Sequence, residues 1–408
     1  MAMGKRPQGR PRRHVAQEGV RMPPGARVVL AGADTVWLTV QGVLPEGLAV
    51  ELDTRKETAQ ERQEAVPSSW AFGGERLMVE PYGAGKGAWR WVLRSPSFTL
   101  NVGLGKCGPI CRARVAAEYL WKVGLDVAIS QADHFLREMF GGSAVISLSE
   151  LHLCADIAGV TPGDFAEQGF ISRSHRWVKE LPEQQGADGA LAPETQVQMW
   201  CRRVSGYAFS RGAAHSCAIY DKVLEIRQHS PDKVWFFDLW RAGGWDGQAP
   251  VTRVEFRYTR DFLREFGLTD HYDVLDRLAD LWAYSTGAWL RYCVPSTDPN
   301  RARWAVHPLW QVVQAARFAA LPSCPLVRSR KRQVALGRAV ATVVGYASSV
   351  SAWLGGPYAS RQVDVSLVFH WLCDQAAAYL AARGQAFGSV VLDKRQRFGL
   401  PVVGIVAA

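Results

Sequence analysis

One tyrosine in the middle of the chain has the neighbours that a nucleophile would need. Residues 216–226 read Ser-Cys-Ala-Ile-Tyr-Asp-Lys-Val-Leu-Glu-Ile, so Tyr220 is followed by Asp221 and Lys222. Alternating residue types predict a β-strand, whose period of two places Tyr220 and Lys222 on the same face. A phenol has a pKa of about 10 and needs a nearby base or cation to act as a nucleophile. The alternative is a packed strand-end tyrosine with a hydrogen-bonded hydroxyl.

A second segment carries groups that could bind a metal ion. Residues 144–157 are predicted to form a strand that places His152, Cys154 and Asp156 on one face. Four residues of regular strand separate His152 from Asp156 by about 13 Å. The two side chains could therefore share one ion only through a bulge or a twist, or with one of them outside the first coordination shell. A hydrogen-bonded histidine within a sheet is the alternative.

A third segment, residues 252–258, alternates charged and apolar residues. Arg253, Glu255 and Arg257 are predicted to share one face of a strand, opposite Val254 and Phe256. The two arginines are candidates for DNA contacts. A cross-strand ion-pair face is the alternative.

Two further candidates precede the tyrosine strand. Arg211 and His215 flank a turn at Gly212. If Tyr220 attacks a phosphate group, both residues are candidates for holding that phosphate, since the arginine guanidinium matches phosphate geometry. Contact with solvent or with other phosphates is the alternative.

The charge balance favours a polyanionic partner. The 408 residues include 48 Lys or Arg against 38 Asp or Glu, a formal net charge of +10. Residues 1–27 are predicted to be a flexible basic arm, in which seven Lys or Arg, among them Arg12 and Arg13, face a single acidic residue. The densest basic run lies at residues 328–332. Candidate DNA contacts are Arg12, Arg13, Arg328, Arg330, Lys331 and Arg332, although a solvated tail and a solvated helix start are the alternatives.

The order of the predicted elements indicates the fold class and the domains. We expect an α+β protein with an antiparallel sheet or sheets carrying the three segments, helices packed on one side, and a small helical C-terminal part. Residues 110–140 have apolar spacing typical of helices. The predicted domains are the arm at 1–27, a catalytic domain at 28–320 and a helical region at 321–408.

The cysteines and the hydropathy pattern exclude other classes. Eight cysteines without a Cys-x-x-Cys pair argue against a zinc ribbon. Scattered thiols without an apolar signal segment predict a cytoplasmic protein. Residues 339–360 are too polar and interrupted for a membrane span, so no membrane partner is expected.

Three motifs stand in order along the chain: Leu-His-Leu-Cys-Ala-Asp at 151–156, Ala-Ile-Tyr-Asp-Lys at 218–222 and Arg-Val-Glu-Phe at 253–256. This arrangement resembles the replication initiation factor family, also called Rep_trans. The family includes rolling-circle initiators of plasmids and relaxases of integrative conjugative elements. Its motifs read Arg-Leu-Asp-Leu-x-x-Asp, Arg-x-Tyr-Asn/Asp-Lys and Arg-Val-Glu, and the resemblance spans about residues 34–320.

The resemblance implies metal-dependent nicking of one DNA strand, which leaves a 3′-OH and a 5′-phosphotyrosine. Tyr220 matches the nucleophile, while Asp156 and Glu255 match acidic ligands of Mg²⁺ or Mn²⁺. His152 stands where many relatives have Asp, and Glu150 stands where they have Arg, so the first motif departs from the pattern twice.

The implied role is initiation of rolling-circle replication of a plasmid or element. The implied partners are origin or transfer-origin DNA, partly single-stranded or in a hairpin, and also a helicase and a second copy of the chain. In the implied reaction Lys222 steadies the phenolate or a phosphate oxygen. The alternatives are a relaxase for conjugative transfer, and a DNA-binding regulator that kept the fold but lost cleavage.

Overall fold

The structure is a computed structural model that describes most of the 408 residues. The described residues are 22–105, 108–173, 177–179, 198–200, 203–318, 326, 336–360 and 362–397. The chain divides into two compact units, Met1–Arg328 and Ser329–Ala408.

A large antiparallel sheet forms the framework of the first unit. Within the described residues it contains twelve strands, which follow the order β10-β11-β12-β13-β7-β1-β6-β5-β4-β3-β2, with β9 also paired to β11. A separate two-stranded sheet pairs β14 with β8. The strands are β1 (Arg27–Gln41), β2 (Val66–Phe72), β3 (Glu75–Val79), β4 (Trp91–Arg94), β5 (Phe98–Val102), β6 (Cys111–Val115), β7 (Val145–Ala158), β8 (Phe170–Ser172), β9 (Trp177–Lys179), β10 (Gln198–Trp200), β11 (Arg203–Phe209), β12 (His215–Asp221), β13 (Val251–Thr259) and β14 (Leu290–Tyr292).

The helices complete an α+β architecture, which confirms the predicted fold class. Helices α1, α3, α8 and α9 are among those of the first unit that bury apolar side chains in the main core of the sheet. The helices are α1 (Glu46–Arg62), α2 (Ala117–Val123), α3 (Leu125–Phe140), α4 (Lys222–His229), α5 (Phe236–Ala242), α6 (Arg260–Arg264), α7 (His271–Leu275), α8 (Leu278–Tyr284), α9 (Pro308–Gln314), α10 (Leu336–Leu354), α11 (Val365–Ala381) and α12 (Phe387–Arg397).

The central strands separate an apolar face from a polar face. Leu153, Val254 and Ile219 lie on the apolar face and are fully buried in the main core. Their neighbours in sequence point the other way because side chains alternate along a strand. We call the apolar side the core face and the opposite side, which carries Tyr220 and Glu255, the site face.

One end of the site face is covered by two short helices. Phe236 and Trp240 of α5 and Ile226 of α4 form a second apolar cluster with Ala158 and Val251. This cluster closes the sheet next to Tyr220. The rest of the site face carries mainly polar and charged side chains.

The segment predicted to be helical from residue 110 begins instead with a strand. Cys111, Ala113 and Val115 are buried, while Arg112 and Arg114 are not. This alternation has the period of a strand, and the helical period begins only at α2. The prediction of helix at residues 110–116 was therefore wrong.

The second unit consists of helices among its described residues. Helices α10 and α11 contact one another, and α12 follows them in the chain. Across the described part of the chain, no helix combines the length and the apolar character that crossing a membrane requires.

Candidate active site

The three motif strands are direct neighbours in the sheet. Strand β13 pairs with β12 on one side and with β7 on the other, so Tyr220 lies opposite Arg253, which lies opposite Asp156. Residues that are between 33 and 97 positions apart in the sequence therefore share one row of the site face. A single sheet, rather than separate paired sheets, brings them together.

The Tyr220 hydroxyl donates a hydrogen bond to Glu255. The distance from Tyr220 Oη to Glu255 Oε2 is 2.9 Å, and Tyr220 is half-buried on the site face. Burial and the charge of Glu255 raise the pKa of Tyr220 well above its ordinary value. The phenol is therefore protonated at neutral pH, with a carboxylate placed to take its proton.

Glu255 is held in turn by His152. Nδ1 of His152 lies 2.7 Å from Glu255 Oε1, and its Nε2 lies 2.9 Å from Glu150 Oε1. Burial lowers the pKa of His152, but its hydrogen bonds to Glu150 and Glu255 outweigh burial and raise the pKa to about 9. His152 is therefore a cation between two carboxylates at neutral pH.

The two carboxylates that hold His152, those of Glu255 and Glu150, are ionised. Burial raises the pKa of Glu255, but the hydrogen bond from His152 and the charges of His152 and Arg253 together outweigh burial and lower it. Burial also opposes ionisation of Glu150, whose pKa falls to about 2 because His152 and Arg257 both donate to it. The result is a continuous chain of hydrogen bonds from Tyr220 through Glu255 and His152 to Glu150.

Arg253 is buried and binds two aspartates. Its Nε and Nη2 lie 2.6 and 2.8 Å from the two oxygens of Asp156, and its Nη1 lies 2.7 Å from Asp34 Oδ1. Arg253 is fully buried. The prediction that Arg253 contacts DNA was wrong, because its guanidinium has no path to a phosphate.

Both oxygens of Asp156 accept hydrogen bonds from neighbouring side chains. Besides the bidentate pair with Arg253, its Oδ2 accepts a hydrogen bond of 2.8 Å from Nε1 of Trp240, and the whole residue is buried. Asp156 lies on a different row of the sheet from His152, as the strand rise predicts.

The predicted metal ligands Asp156, Glu255 and His152 do not form a metal site in this arrangement. Asp156 is paired with Arg253, and Glu255 uses both oxygens on Tyr220 and His152. Among the residues that the structure describes, no three His, Cys, Asp or Glu side chains are grouped to hold an ion. In this arrangement the three side chains do not share one ion, so a divalent metal stays a prediction from the sequence, and we derive no catalytic step through it.

Lys222 lies beside Tyr220, but not as a strand residue. Strand β12 ends at Asp221, whose carboxylate accepts a hydrogen bond of 2.9 Å from the backbone N–H of Leu224 and caps α4. Lys222 is the buried first residue of that helix. Its Nζ lies 2.6 Å from Glu225 Oε2 and 5.5 Å from the centre of the Tyr220 ring.

His215 and Arg211 lie away from the Tyr220 hydroxyl. His215 begins β12 on the core face, where it stacks 4.2 Å from Phe262 and its Nδ1 lies 3.0 Å from the Arg257 carbonyl oxygen. Arg211 is exposed in the turn before β12. Five residues of strand separate His215 from Tyr220, about 17 Å. The structure does not bring either residue to the site, because His215 belongs to the core and Arg211 to the far end of the hairpin.

The remaining predicted DNA contacts are partly outside the described residues. Arg12, Arg13, Arg328, Arg330, Lys331 and Arg332 all lie outside them. Arg257 is on the site face, where its side chain is 32% exposed and its Nη2 lies 2.8 Å from Glu150 Oε2.

Sequence reasoning missed Asp34 and Trp240, which complete the shell around Arg253 and Asp156. Asp34 is the extra residue at a bulge in β1, between the pairs Ala33–Leu153 and Thr35–His152. An acidic residue inside a β-rich apolar segment was the available signal. The sequence offered no signal that Trp240, 84 residues after Asp156, would donate to it.

Comparisons with known proteins gave one similar structure. No family model matches the chain. No curated protein matches it. A solved structure of a rolling circle replication initiator protein from Geobacillus stearothermophilus is similar with a TM-score of 0.38 and 12% sequence identity, over 72% of this chain and 98% of that chain. A similarity at this TM-score carries no conclusion, so membership of the replication initiation factor family stays a prediction from the three motifs.

Proposed function

We propose that the protein nicks and rejoins one strand of DNA through Tyr220 and thereby initiates rolling-circle replication. The observation that carries this proposal is the 2.9 Å hydrogen bond from the Tyr220 hydroxyl to the Glu255 carboxylate, on the sheet face that three motif strands share. A nucleophile and its base require this contact. The basic overall charge supports a nucleic-acid substrate.

In the proposed step Glu255 acts as the general base. It takes the proton from Tyr220 as the phenol oxygen forms a bond to the phosphorus of the scissile phosphodiester. The bond from phosphorus to the 3′ oxygen breaks, and that oxygen takes up a proton to become the 3′-OH. The 5′ phosphate stays bonded to Tyr220, and the reverse reaction rejoins the strand.

His152 and Glu150 position the base. The Nδ1–H of protonated His152 holds Glu255 Oε1, so that Oε2 stays directed at the phenol. Glu150 anchors the other side of the imidazole ring. Side chains whose orientation is fixed in advance lose less freedom when the substrate binds.

Lys222 stabilises the charge that develops on the phenol oxygen. Its ammonium group lies near the Tyr220 ring and is held by Glu225 inside the protein, where charges interact more strongly than in water. The sequence predicted that Lys222 would steady the phenolate from the same strand as Tyr220. In the structure Lys222 approaches the Tyr220 ring from the first position of α4.

The test is the formation of a covalent adduct between protein and DNA. Supercoiled DNA carrying the region around the protein's own gene is incubated with wild type, Tyr220→Phe and Tyr82→Phe, in buffers with and without Mg²⁺ or Mn²⁺. Tyr82 is a suitable control because it is 61% exposed and lies outside the site. We expect open circles and a denaturation-resistant adduct with wild type and Tyr82→Phe only. An adduct with Tyr220→Phe, or none with wild type in any buffer, would overturn the proposal.

A further inference from the structure

Beyond Tyr220, the site face carries a row of arginines that the proposed cleavage does not use. Arg94 of β4 and Arg114 of β6 both pair with Thr99 of β5, and Arg114 pairs with Trp37 of β1. Paired residues of antiparallel strands point to the same face. Trp37 lies opposite Glu150, which belongs to the hydrogen-bonded chain of the active site. The site face is therefore continuous from Arg94 to Tyr220.

Arg112 and Arg257 widen this row. Arg112 lies two residues before Arg114 on the same face of β6, with its guanidinium 4.1 Å from the centre of the Trp37 ring. Its Nη2 is 3.2 Å from Glu150 Oε2, to which Arg257 also donates. We call Arg94, Arg112, Arg114, Arg257 and Trp37 the arginine strip.

The strip is accessible and positively charged. The side chains of Arg94, Arg112 and Arg257 are 61, 37 and 32% exposed. Arg114 is exposed and forms no ion pair within the described part of the chain. Glu150 is shared by Arg112 and Arg257, and Glu80 lies 3.7 Å from Arg94, so the cations outnumber the carboxylates that contact them.

We propose that the arginine strip binds the single-stranded DNA that leads to the scissile phosphate. This inference rests on the proposed function, because the strand it holds is the one that Tyr220 cuts. Six strand-to-strand steps separate β4 from β12, a distance of about 29 Å across the sheet. The strip therefore contacts several successive nucleotides rather than one phosphate.

The chemistry of the strip suits a single strand better than a duplex. Guanidinium groups bind phosphates in pairs of hydrogen bonds, and unpaired bases stack on aromatic rings and on arginine planes. The stacked Arg112 and Trp37 side chains offer both kinds of contact on a sheet face. Duplex reading instead uses a helix or a two-stranded ribbon that enters the major groove, and the strip lies in the middle of a wide sheet.

The experiment measures binding without cleavage. Tyr220→Phe protein, with and without Arg112→Ala/Arg114→Ala, is titrated with a fluorescein-labelled single strand of about 16 nucleotides and with the matching duplex over a series of salt concentrations. The expected result is weaker binding of the single strand, with a slope of log K against log salt that is smaller by about 1.4. Binding of the duplex is expected to change less.

The control pair is Arg55→Ala/Arg62→Ala, which removes the same charge from two exposed positions on α1. We expect this pair to leave the slope unchanged. Arg114→Glu guards against a folding defect, since Arg114 has no ion pair to lose among the residues that the structure describes. This variant should weaken binding of the single strand with an unchanged melting temperature. The proposal that the strip binds single-stranded DNA would be overturned by either of two results. One is the same affinity and salt slope for the Arg112→Ala/Arg114→Ala pair and the control pair, and the other is a larger loss of affinity for the duplex than for the single strand. Because no step of the assay needs cleavage, failure of the strip and failure of the nicking proposal are separate results.

Discussion

The contact between Tyr220 and Glu255 decides what the site can do at the scale of single residues. A phenol with a raised pKa is a poor nucleophile unless a base receives its proton as the bond forms. The pKa of Glu255 is lowered, so the carboxylate is available as an acceptor at neutral pH. The pair therefore has the protonation states that general-base catalysis requires.

Replacing Glu255 by Gln tests this role directly. Gln keeps the shape of the side chain but cannot take the phenol proton, so we expect adduct formation to slow by about 10²–10⁴-fold. The measurement is the single-turnover rate of adduct formation. Glu138→Gln, an exposed change on α3, is the matched control and should react at the wild-type rate. A Glu255→Gln rate within a few fold of wild type would return Glu255 to a purely structural ion pair.

Asp156 has a structural task that differs from the one its motif implies. Asp156→Ala leaves Arg253 without its bidentate partner in a fully buried place, so we expect the free energy of unfolding to fall by about 3–5 kcal/mol. Urea unfolding measures this loss. Asp238→Ala breaks the ion pair with Arg241, which is exposed and has an N–O distance of 2.7 Å against 2.6 Å for the buried pair, and should change stability much less. Equal losses for the two variants would contradict the structural role.

At the scale of elements, a bulge and a helix start place the groups that surround the tyrosine. The bulge in β1 turns Asp34 toward Arg253, as bulges commonly re-aim side chains. The cap at Asp221 ends β12 and begins α4, which carries the ammonium of Lys222 past the Tyr220 ring. Both are small departures from regular strand geometry.

The Asp34 bulge predicts a specific dependence of stability on pH. Burial raises the pKa of Asp34, but the charge and hydrogen bond of Arg253, together with the charges of Lys222 and Lys233, outweigh burial and lower it from 3.8 to about 2. A lowered folded-state pKa means that the contribution is complete above about pH 4 and is lost as the pH falls toward 2. The contribution is about 2 kcal/mol.

Urea unfolding of wild type and Asp34→Asn from pH 6 to pH 2 measures this contribution. The difference between the two proteins should be constant above about pH 4 and should shrink below it, because wild-type Asp34 then becomes protonated. A difference that grows or stays constant on acidification would contradict the ion pair with Arg253.

The strands themselves were predictable because they depend on local alternation. The predicted strand at residues 144–157 matches β7 to within one residue at each end, the predicted strand at 252–258 falls within β13, and the motif order suggested that these strands would meet. Alternation along the strand places His215 on the face opposite Tyr220, and the residue packs in the core, so its assignment to the site ran against the pattern. Arg253 lies on the site face, as alternation predicts, but Phe236 of α5 covers it there, and no strand pattern indicates which end of a face a helix will cover.

Contacts between distant segments account for what the sequence could not reveal at the site. Arg253 and Asp34 are 219 residues apart in the sequence, and no local pattern links them. The end of β12 at Asp221 was also missed, because a strand that continues through Lys222 gives the same alternation. Arg112 and Arg114 of β6 alternate with apolar residues in the sequence, which is the pattern of a strand. The strand was missed because residues 110–140 were treated as one helical segment, on the apolar spacing of the helices that follow β6.

At the scale of the whole first unit, the sheet assigns different tasks to its two faces. The core face packs against α1, α3, α8 and α9 and stabilises the fold. The site face keeps its cations and carboxylates within reach of a ligand, with α4 and α5 closing only the end beside Tyr220. A strand of DNA that lies along this face would pass the arginine strip and end at the nucleophile.

The most direct measurement is the identity of the residue that becomes bonded to DNA. Trypsin cuts after Arg211 and Lys222, and the peptide between these cuts contains Tyr220 as its single tyrosine, together with His215, Ser216 and Cys217. The adduct is trapped, digested with nuclease and trypsin, and sequenced by tandem mass spectrometry. The account predicts a 5′-phosphorylated nucleotide on the Tyr220 oxygen. A nucleotide on any other residue of the chain, or the absence of a covalent link in DNA that has been nicked, would contradict it.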